Sequence, residues 1–151
     1  MTQSDGTVPI TGLGCLCAAG RSVLELADTL FTGRRCVSWR EAKGGSYPVF
    51  QLDSLHAPVG YYEEPECERC GRLAVAAAEE AFAHAGLTRE HLQRRQVGVC
   101  IGTTVGSAMN NEAFYRDFRA GRMPGIGPIR RYLRANPAAM VAQAFGLTGP
   151  C

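Results

Sequence analysis

Lysine and long apolar segments are nearly absent from this sequence. Lys43 is the only lysine among 16 basic residues, and 14 acidic residues leave a net charge of +2, which by itself is too small to indicate a nucleic-acid or membrane partner. The segment from Arg116 to Arg134 contains six arginines and a single acid. This pattern is typical of a solvated helix face, with a binding surface for an anionic partner as the alternative. No apolar run approaches a membrane span, and the polar start MTQSDGTVP lacks the features of a secretory signal. We therefore expect a cytoplasmic protein with no nucleic-acid or membrane partner.

The cysteine pattern argues against a disulfide framework. The seven cysteines are odd in number, scattered, and partly inside apolar runs, so most should be reduced core thiols. Cys67 and Cys70 have the spacing of half a zinc site or of a redox pair, but the sequence offers no second pair and no paired histidines. We favour two thiols at a helix start, and we expect no metal and no cofactor. The five cysteines besides Cys67 and Cys70 are Cys15, Cys17, Cys36, Cys100 and Cys151.

Familiar catalytic and phosphate-binding motifs are also missing. The sequence contains no Gly-x-Ser-x-Gly elbow and no phosphate loop. Gly12 and Gly14 suggest a dinucleotide site, but Cys17 stands where the third glycine should be, so a tight turn that needs glycines is the simpler interpretation. The histidines have no acid or nucleophile at a suggestive spacing, so we expect them at the surface. Without a resemblance to a known family, the sequence shows no set of catalytic residues. These histidines are His56, His84 and His91.

Length and periodicity predict one domain that begins with a strand and a capped helix. With 151 residues the chain can bury a sizeable core but is too short for two domains. Residues 10–14 are a β-rich run ending in glycines, which predicts the strand. Ser22 and Glu25 have the spacing of a capping box, and Gly33 is placed to end the helix in a left-handed conformation. The apolar stripe of this helix comprises Val23, Leu26, Ala27 and Leu30.

The middle of the chain combines an irregular stretch with a long helix. Because Gly and Pro punctuate a polar segment, we expect a surface excursion over about residues 38–66, with a possible short strand at residues 47–52. Residues 72–85 are rich in alanine and unbroken by Gly or Pro, which predicts a helix that packs closely on a sheet and another helix. A short helical turn should run from Thr88 to Leu92.

The second half of the chain places a candidate ligand-binding loop after a strand. Residues 97–102 form a continuous apolar run, typical of a strand buried on both faces of a sheet. This run opens into the small residues 103–107, and loops at the carboxyl ends of strands bind ligands in α/β proteins. Helices should follow at about residues 108–120 and 129–145, with Pro137 as either a kink or a new helix start. The order of elements predicts an α/β fold.

Four segments together resemble the amino-terminal half of a β-ketoacyl-acyl-carrier-protein synthase, a condensing enzyme with the thiolase-like fold. The first two are ITGLG at residues 10–14 and GRSVLELADTLFTGRRCV at residues 20–37. The third joins GRLAVAAAEEAFAHAGL to VGVCIGTTVGS, and the fourth is NPAAMVAQAFGLTGP at residues 136–150. The segments span nearly the whole chain in the family's order, whereas residues 38–66 match least.

The resemblance implies an incomplete first half of a layered α/β/α fold over residues 1–151, with a mixed sheet flanked by helices. The implied activity is decarboxylative Claisen condensation of an acyl thioester with malonyl-acyl-carrier-protein, in fatty acid or polyketide synthesis. The family's reactive cysteine would lie a few residues beyond Cys151, which follows Pro150 too closely to be that nucleophile. This chain should therefore contain no catalytic residue and be inactive alone. A non-catalytic partner subunit resembling a chain-length factor is the alternative, and a thiolase or an initiating synthase fits less well.

The resemblance also implies a substrate site and a docking surface. It places five loop residues beside the acyl pocket, with Val105 as an apolar gate, although a plain strand-to-helix turn would need similar small residues. Residues 126–140 would border this pocket and the seam of a homodimer or ketosynthase heterodimer. Arg69 and Arg72 would lie on the surface that receives the acidic acyl carrier protein. The five loop residues are Thr103, Thr104, Val105, Gly106 and Ser107.

Overall fold

The computed structural model describes residues 7–52, 69–104, 106, 111–134 and 136–151. Within those ranges the chain forms six helices and one hairpin. In chain order the elements are α1 (Val23–Phe31), β1 (Ser38–Ala42), β2 (Gly45–Val49), α2 (Arg69–His84), α3 (Arg89–Gln93), α4 (Glu112–Arg119), α5 (Gly127–Arg134) and α6 (Pro137–Phe145). None of these helices has both the length and the apolar character that crossing a bilayer requires.

The start of α1 confirms half of the predicted capping box. Ser22 Oγ accepts the backbone N–H of Glu25 at 3.2 Å, as at many helix starts. The Glu25 carboxylate accepts the N–H of Arg21 at 2.8 Å instead of that of Ser22, so the second bond is displaced by one residue. Gly33 follows the helix with a φ of 65°, which confirms the predicted left-handed ending.

The apolar stripe of α1 is only partly buried. Three of its four members are half-buried, whereas Leu30 is 69% exposed. Thr29 is the buried residue of this helix, and its hydroxyl donates to the carbonyl O of Ala19 at 2.7 Å. Thr29 therefore takes the buried position that the apolar pattern had assigned to Leu30, and its hydroxyl is satisfied by a hydrogen bond.

A hairpin replaces the first part of the predicted excursion, so the expectation of an irregular segment from residue 38 is wrong. β1 and β2 pair antiparallel, and the tight connection is possible because Gly44 and Gly45 adopt φ values of 104° and 135°. The strand expected at residues 47–52 begins and ends earlier, as β2. Both strands are largely exposed. Their sequences show no alternation of apolar and polar residues, which is the signal of a half-buried strand. Residues 53–66 lie outside the described part of the chain.

The core of the described residues lies between α2 and α6. α2 confirms the predicted alanine-rich helix but begins at Arg69 rather than at residue 72. Val75 of α2 and Val141 of α6 are each 3% exposed. Phe82 packs edge-on against Phe145, with ring centroids 4.9 Å apart. These contacts hold the last part of the chain onto α2.

Pro137 starts a new helix, which settles the choice that the sequence left open. The Asn136 side chain accepts the N–H of Ala138 at 2.9 Å, and Pro137 takes the first helical position, where its missing N–H is not needed. The helix expected over residues 129–145 is thus two helices, α5 and α6. α4 begins at Glu112, and residues 107–110 before it lie outside the described ranges.

The predicted first strand, residues 10–14, lies against α2 and has no regular strand partner among the described residues. A Cβ atom on Gly12 would lie 2.1 Å from the carbonyl O of Ala81, and one on Gly14 would lie 1.9 Å from that of Ala77. Neither glycine has a positive φ. These glycines therefore permit close approach of two backbones, and the tight turn suggested for them is wrong.

Candidate substrate-binding site

Residues 97–102 run beside the last residues of the chain. Val99 donates its N–H to the carbonyl O of Pro150 at 2.8 Å, and Gly149 donates to that of Val97 at 3.1 Å. The two segments advance in the same direction, so their pairing is parallel, and α4, α5 and α6 supply the crossover that a parallel connection requires. A Cβ atom on Gly149 would lie 2.3 Å from the Val97 carbonyl O. The pairing therefore needs a glycine at that position.

The prediction that residues 97–102 are buried on both faces is wrong. Val99 is half-buried against the core formed by Val75 and Val141, but Cys100 is exposed and Ile101 is 37% exposed. Among the described residues, residues 97–102 are hydrogen-bonded along one edge, to Gly149 and Pro150. The structure forms no regular strand over residues 97–102.

The loop that follows holds the residues expected at the acyl pocket. Thr103 Oγ1 accepts the N–H of Gly106 at 2.9 Å, and Gly106 has a φ of 55°, so a hydroxyl-closed turn shapes the loop. Thr103 and Thr104 are exposed, whereas Val105 and Ser107 lie outside the described residues. The loop stands at the carboxyl end of a parallel-paired segment, the usual place for a ligand in α/β proteins. It contains no charged residue.

The two arginines expected at the docking surface lie in the first turn of α2. Arg69 is exposed, and its guanidinium donates to the carbonyl O of Leu52 at 2.7 Å. Arg72 is half-buried, and its Nε is buried without a hydrogen-bond partner. Arg69 is therefore the more accessible of the two cations.

The arginine-rich stretch is solvated on α4 and just after it, as predicted. Arg116, Arg119 and Arg122 are all exposed. Arg122 forms an ion pair with Asp117, and this hydrogen bond, together with the charge of Arg122, holds the pKa of the Asp117 carboxyl below its usual range. The single acid of the stretch thus pairs with one of its arginines.

Glu80 is a structural residue that the sequence did not reveal. Its two carboxylate oxygens accept the N–H groups of Cys15 and Val23, each at 2.7 Å. Because Val23 is the first residue of α1, an acid on α2 caps the start of α1 and anchors the loop before it. In the sequence nothing distinguishes Glu80 from Glu79, which the structure leaves exposed.

The described histidines are exposed, as predicted, and each has a structural hydrogen bond. His84 Nδ1 accepts the N–H of Leu13 at 3.1 Å, and His91 Nδ1 accepts that of Thr88 at 3.3 Å in the capping box of α3. His56 and Cys67 lie outside the described residues. In the part of the chain that the structure describes, no three His, Cys, Asp or Glu side chains meet as a metal site would require.

A model of the β-ketoacyl synthase amino-terminal domain family matches residues 5–151. The chain belongs to this family. Nodulation protein E of Rhizobium sp. (strain N33) is 26% identical over 160 residues, which cover 97% of this chain and 38% of that protein. The actinorhodin polyketide putative β-ketoacyl synthase 1 of Streptomyces coelicolor is 31% identical over 114 residues, or 72% of this chain and 24% of that protein. The chain thus spans well under half the length of these two relatives.

Solved ketosynthases share the fold. A β-ketoacyl synthase from Burkholderia phymatum STM815 superposes with a TM-score of 0.71 at 23% identity, over 93% of this chain and 37% of that one. The ishigamide ketosynthase/chain length factor gives a TM-score of 0.62, also at 23% identity over 93% and 37%. These likenesses confirm the α/β fold class and show the amino-terminal part of the thiolase-like fold.

Proposed function

We propose that this chain is the amino-terminal part of a β-ketoacyl synthase that condenses an acyl thioester with malonyl-acyl-carrier-protein, with loss of CO2, in polyketide or fatty acid synthesis. The family match over residues 5–151 is the observation that carries the proposal. The polyketide-associated relative from Streptomyces coelicolor supports the polyketide branch. A cytoplasmic location stays a prediction.

The direction of the last residues supports a position for the reactive cysteine. Because Pro150 pairs in parallel with Val99, a continuation beyond Cys151 would run toward the loop at Thr103. At about 3.3 Å per residue, about four residues after Pro150, or about three beyond Cys151, would bring that continuation level with Thr103. We therefore place the reactive cysteine in the continuation, beyond Cys151.

Acylation of the complete polypeptide tests this position. After incubation with an acyl-loaded carrier protein, intact mass should show one acyl group, and peptide mapping should locate it on a cysteine downstream of Cys151. Replacing that downstream cysteine with alanine should abolish the adduct, whereas the matched variant Cys151→Ala should retain it. An acyl group found on Cys151 would contradict the proposal.

The loop of Thr103, Thr104, Val105, Gly106 and Ser107 is proposed as a wall of the acyl pocket. Its small, uncharged residues suit a hydrocarbon chain, and its place at the end of the parallel-paired segment suits a ligand. In the complete enzyme, Thr104→Phe should shift the preferred acyl substrate toward shorter chains, measured as kcat/KM across a chain-length series. The exposed Thr11→Phe serves as the matched control. An unchanged chain-length preference in Thr104→Phe would count against this role.

Arg69 and Arg72 are proposed as contacts for the acidic carrier protein. The exposed guanidinium of Arg69 supports the assignment, and it makes Arg69→Glu the sharper test. Reversing a charge at the rim of an interface mainly lowers the association rate constant. We therefore expect KM for the carrier-bound substrate to rise about tenfold with kcat unchanged. The matched control is Arg94→Glu, whose side chain is 75% exposed on the far end of α3. Equal KM values for the two variants would refute the docking role.

Assembly as a homodimer or ketosynthase heterodimer is proposed for the complete protein, with residues 126–140 at the seam. Large apolar side chains near this segment support it, because such exposed patches mark interaction surfaces. Phe118, Met123 and Ile126 are 60%, 94% and 57% exposed. Light scattering on the complete protein should give twice the subunit mass, and Ile126→Glu should shift it toward the monomer. A wild-type monomer would contradict the homodimer and leave the heterodimer as the proposed assembly.

A chain-length-factor-like partner subunit is the second candidate. The printed name of one structural neighbour includes a chain length factor, and such a partner would keep the fold without the reactive cysteine. The residue at the nucleophile position of the complete protein decides between them, since cysteine supports the synthase and glutamine supports the partner.

A further inference from the structure

Cys15 and Cys17 form a thiol pair that the proposed function does not use. Their Sγ atoms lie 3.8 Å apart, and the Cys15 thiol donates to the Cys17 sulfur. Both side chains are half-buried, so they are partly accessible to small solutes. A spacing of two residues lets both side chains lie on one side of the backbone.

The backbone on both sides of this pair is anchored. The N–H of Cys15 donates to Glu80 at 2.7 Å. Cys17 exchanges two hydrogen bonds with Gly20, at 2.8 and 3.2 Å. These hydrogen bonds fix the backbone of both cysteines, so the fold itself keeps the two sulfurs close to each other.

We propose that Cys15 and Cys17 are a modification site for peroxides, at which the two thiols close to a reversible disulfide. The sulfurs must approach by about 1.8 Å to reach the S–S bond length. With the backbone anchored, side-chain rotation must supply most of that movement. The inference is independent of the condensation chemistry proposed above.

The hydrogen bond assigns the order of the two thiols. Partial burial, the bond to Cys17 and nearby negative charge raise the pKa of the Cys15 thiol above its ordinary value of 9.0. The Cys15 thiol therefore keeps its proton, and because this S–H donates to the Cys17 sulfur, we assign the first attack to Cys17. The Cys17 sulfur attacks one peroxide oxygen, the O–O bond breaks, the Cys17 proton leaves with the released hydroxide as water, and Cys17 becomes a sulfenic acid.

The second step closes the disulfide. The Cys15 sulfur attacks the sulfenic sulfur of Cys17, the S–O bond breaks, and the Cys15 proton leaves with the hydroxide as a second water. Overall, two thiols are oxidised and one hydrogen peroxide is reduced to two waters. A ring closed over one intervening residue between anchored ends is strained, and strained disulfides are the readily reduced ones, so a dithiol should reopen it.

Peptide mapping of the full chain tests the site directly, because Arg21 is its first basic residue. Trypsin therefore releases residues 1–21 with Cys15 and Cys17 as the only cysteines. After treatment of the folded chain with hydrogen peroxide, this peptide should lose two hydrogens and resist alkylation. Dithiothreitol should restore both alkylation sites. Cys36, a half-buried thiol alone in its own tryptic peptide (residues 36–40), is the internal control and should form no internal disulfide.

Two variants test the order of the steps. Cys15→Ser should abolish the disulfide and allow dimedone to trap a sulfenic acid on Cys17, whereas Cys17→Ser should leave Cys15 unlabelled at the same dose. Gain of oxygen atoms by the wild-type peptide without loss of hydrogens would overturn the site, whether or not the variants fold. A dimedone adduct on Cys15 but not on Cys17 would overturn the assigned order.

Discussion

Replacing Gly14 with alanine should detach the amino-terminal segment from α2. The new Cβ would lie 1.9 Å from the carbonyl O of Ala77 and 2.9 Å from the N of Ala81. Ordinary contact begins at 3.4 Å, so the two backbones must separate by about 1.5 Å, and overpacking of this kind costs about 1–3 kcal/mol. The shift also pulls the N–H of Cys15 from Glu80, a hydrogen bond to a charged group worth about 1.5–3 kcal/mol. We therefore expect a loss of about 2.5–6 kcal/mol in the free energy of unfolding, out of the about 5–15 kcal/mol typical of a domain.

Urea unfolding followed by far-UV circular dichroism measures this loss. The matched control is Gly125→Ala, where a Cβ atom would meet nothing within 4 Å and φ is not positive. The control should change the free energy of unfolding by less than about 1 kcal/mol. If Gly14→Ala and Gly125→Ala unfold at the same urea concentration, the close-approach argument is refuted.

Three further predictions follow from the anchors and thiols of the fold. Glu80→Gln should lower the free energy of unfolding by about 1–3 kcal/mol, because an amide cannot serve both N–H groups as the carboxylate does, while the exposed control Glu79→Gln should have little effect; equal urea midpoints would exclude the anchor. The raised pKa of Cys15 means that the folded state holds this proton more tightly than the unfolded state. The contribution of this thiol to the free energy of unfolding should therefore be constant below pH 9.0 and fall as pH rises above it. The rate of Cys15 alkylation by iodoacetamide should reach half its maximum at a pH above 9.0, and a midpoint at or below that pH would contradict the shift. Gly149→Ala would place a Cβ atom 2.3 Å from the Val97 carbonyl O, and in the complete polypeptide the resulting displacement should slow acylation about 100-fold; an unchanged rate would show that this pairing does not position the site.

Local signals predicted the helices well. Ser22 and Gly33 act through neighbours within a few residues, and a spacing in the sequence reports such contacts directly. The alanine-rich α2 and the short α3 follow from the same local patterns. β1 and its pairing with β2 were missed because both strands are exposed and carry no apolar alternation.

Long-range contacts could not be predicted in this way. Glu80 meets Cys15 and Val23 from 65 and 57 residues away, and no local pattern sets it apart from Glu79. The parallel pairing of Val97 and Val99 with residues 149–150 likewise depends on how the helices between them pack. For the candidate site, the apolar run at residues 97–102 indicated the loop at Thr103, and the resemblance gave that loop its expected acyl-binding role. The turn closed by the Thr103 hydroxyl and the exposure of the preceding segment came only from the structure.

Condensation itself is the most direct test of the proposed role of this chain. Residues 1–151 and the complete polypeptide are each incubated with an acyl-loaded carrier protein and malonyl-acyl-carrier-protein, and the 3-ketoacyl product and released CO2 are quantified. We expect both products from the complete polypeptide and neither from residues 1–151, because the reactive cysteine is proposed to lie beyond Cys151. Product formed by residues 1–151, and lost in Cys151→Ala, would contradict this account.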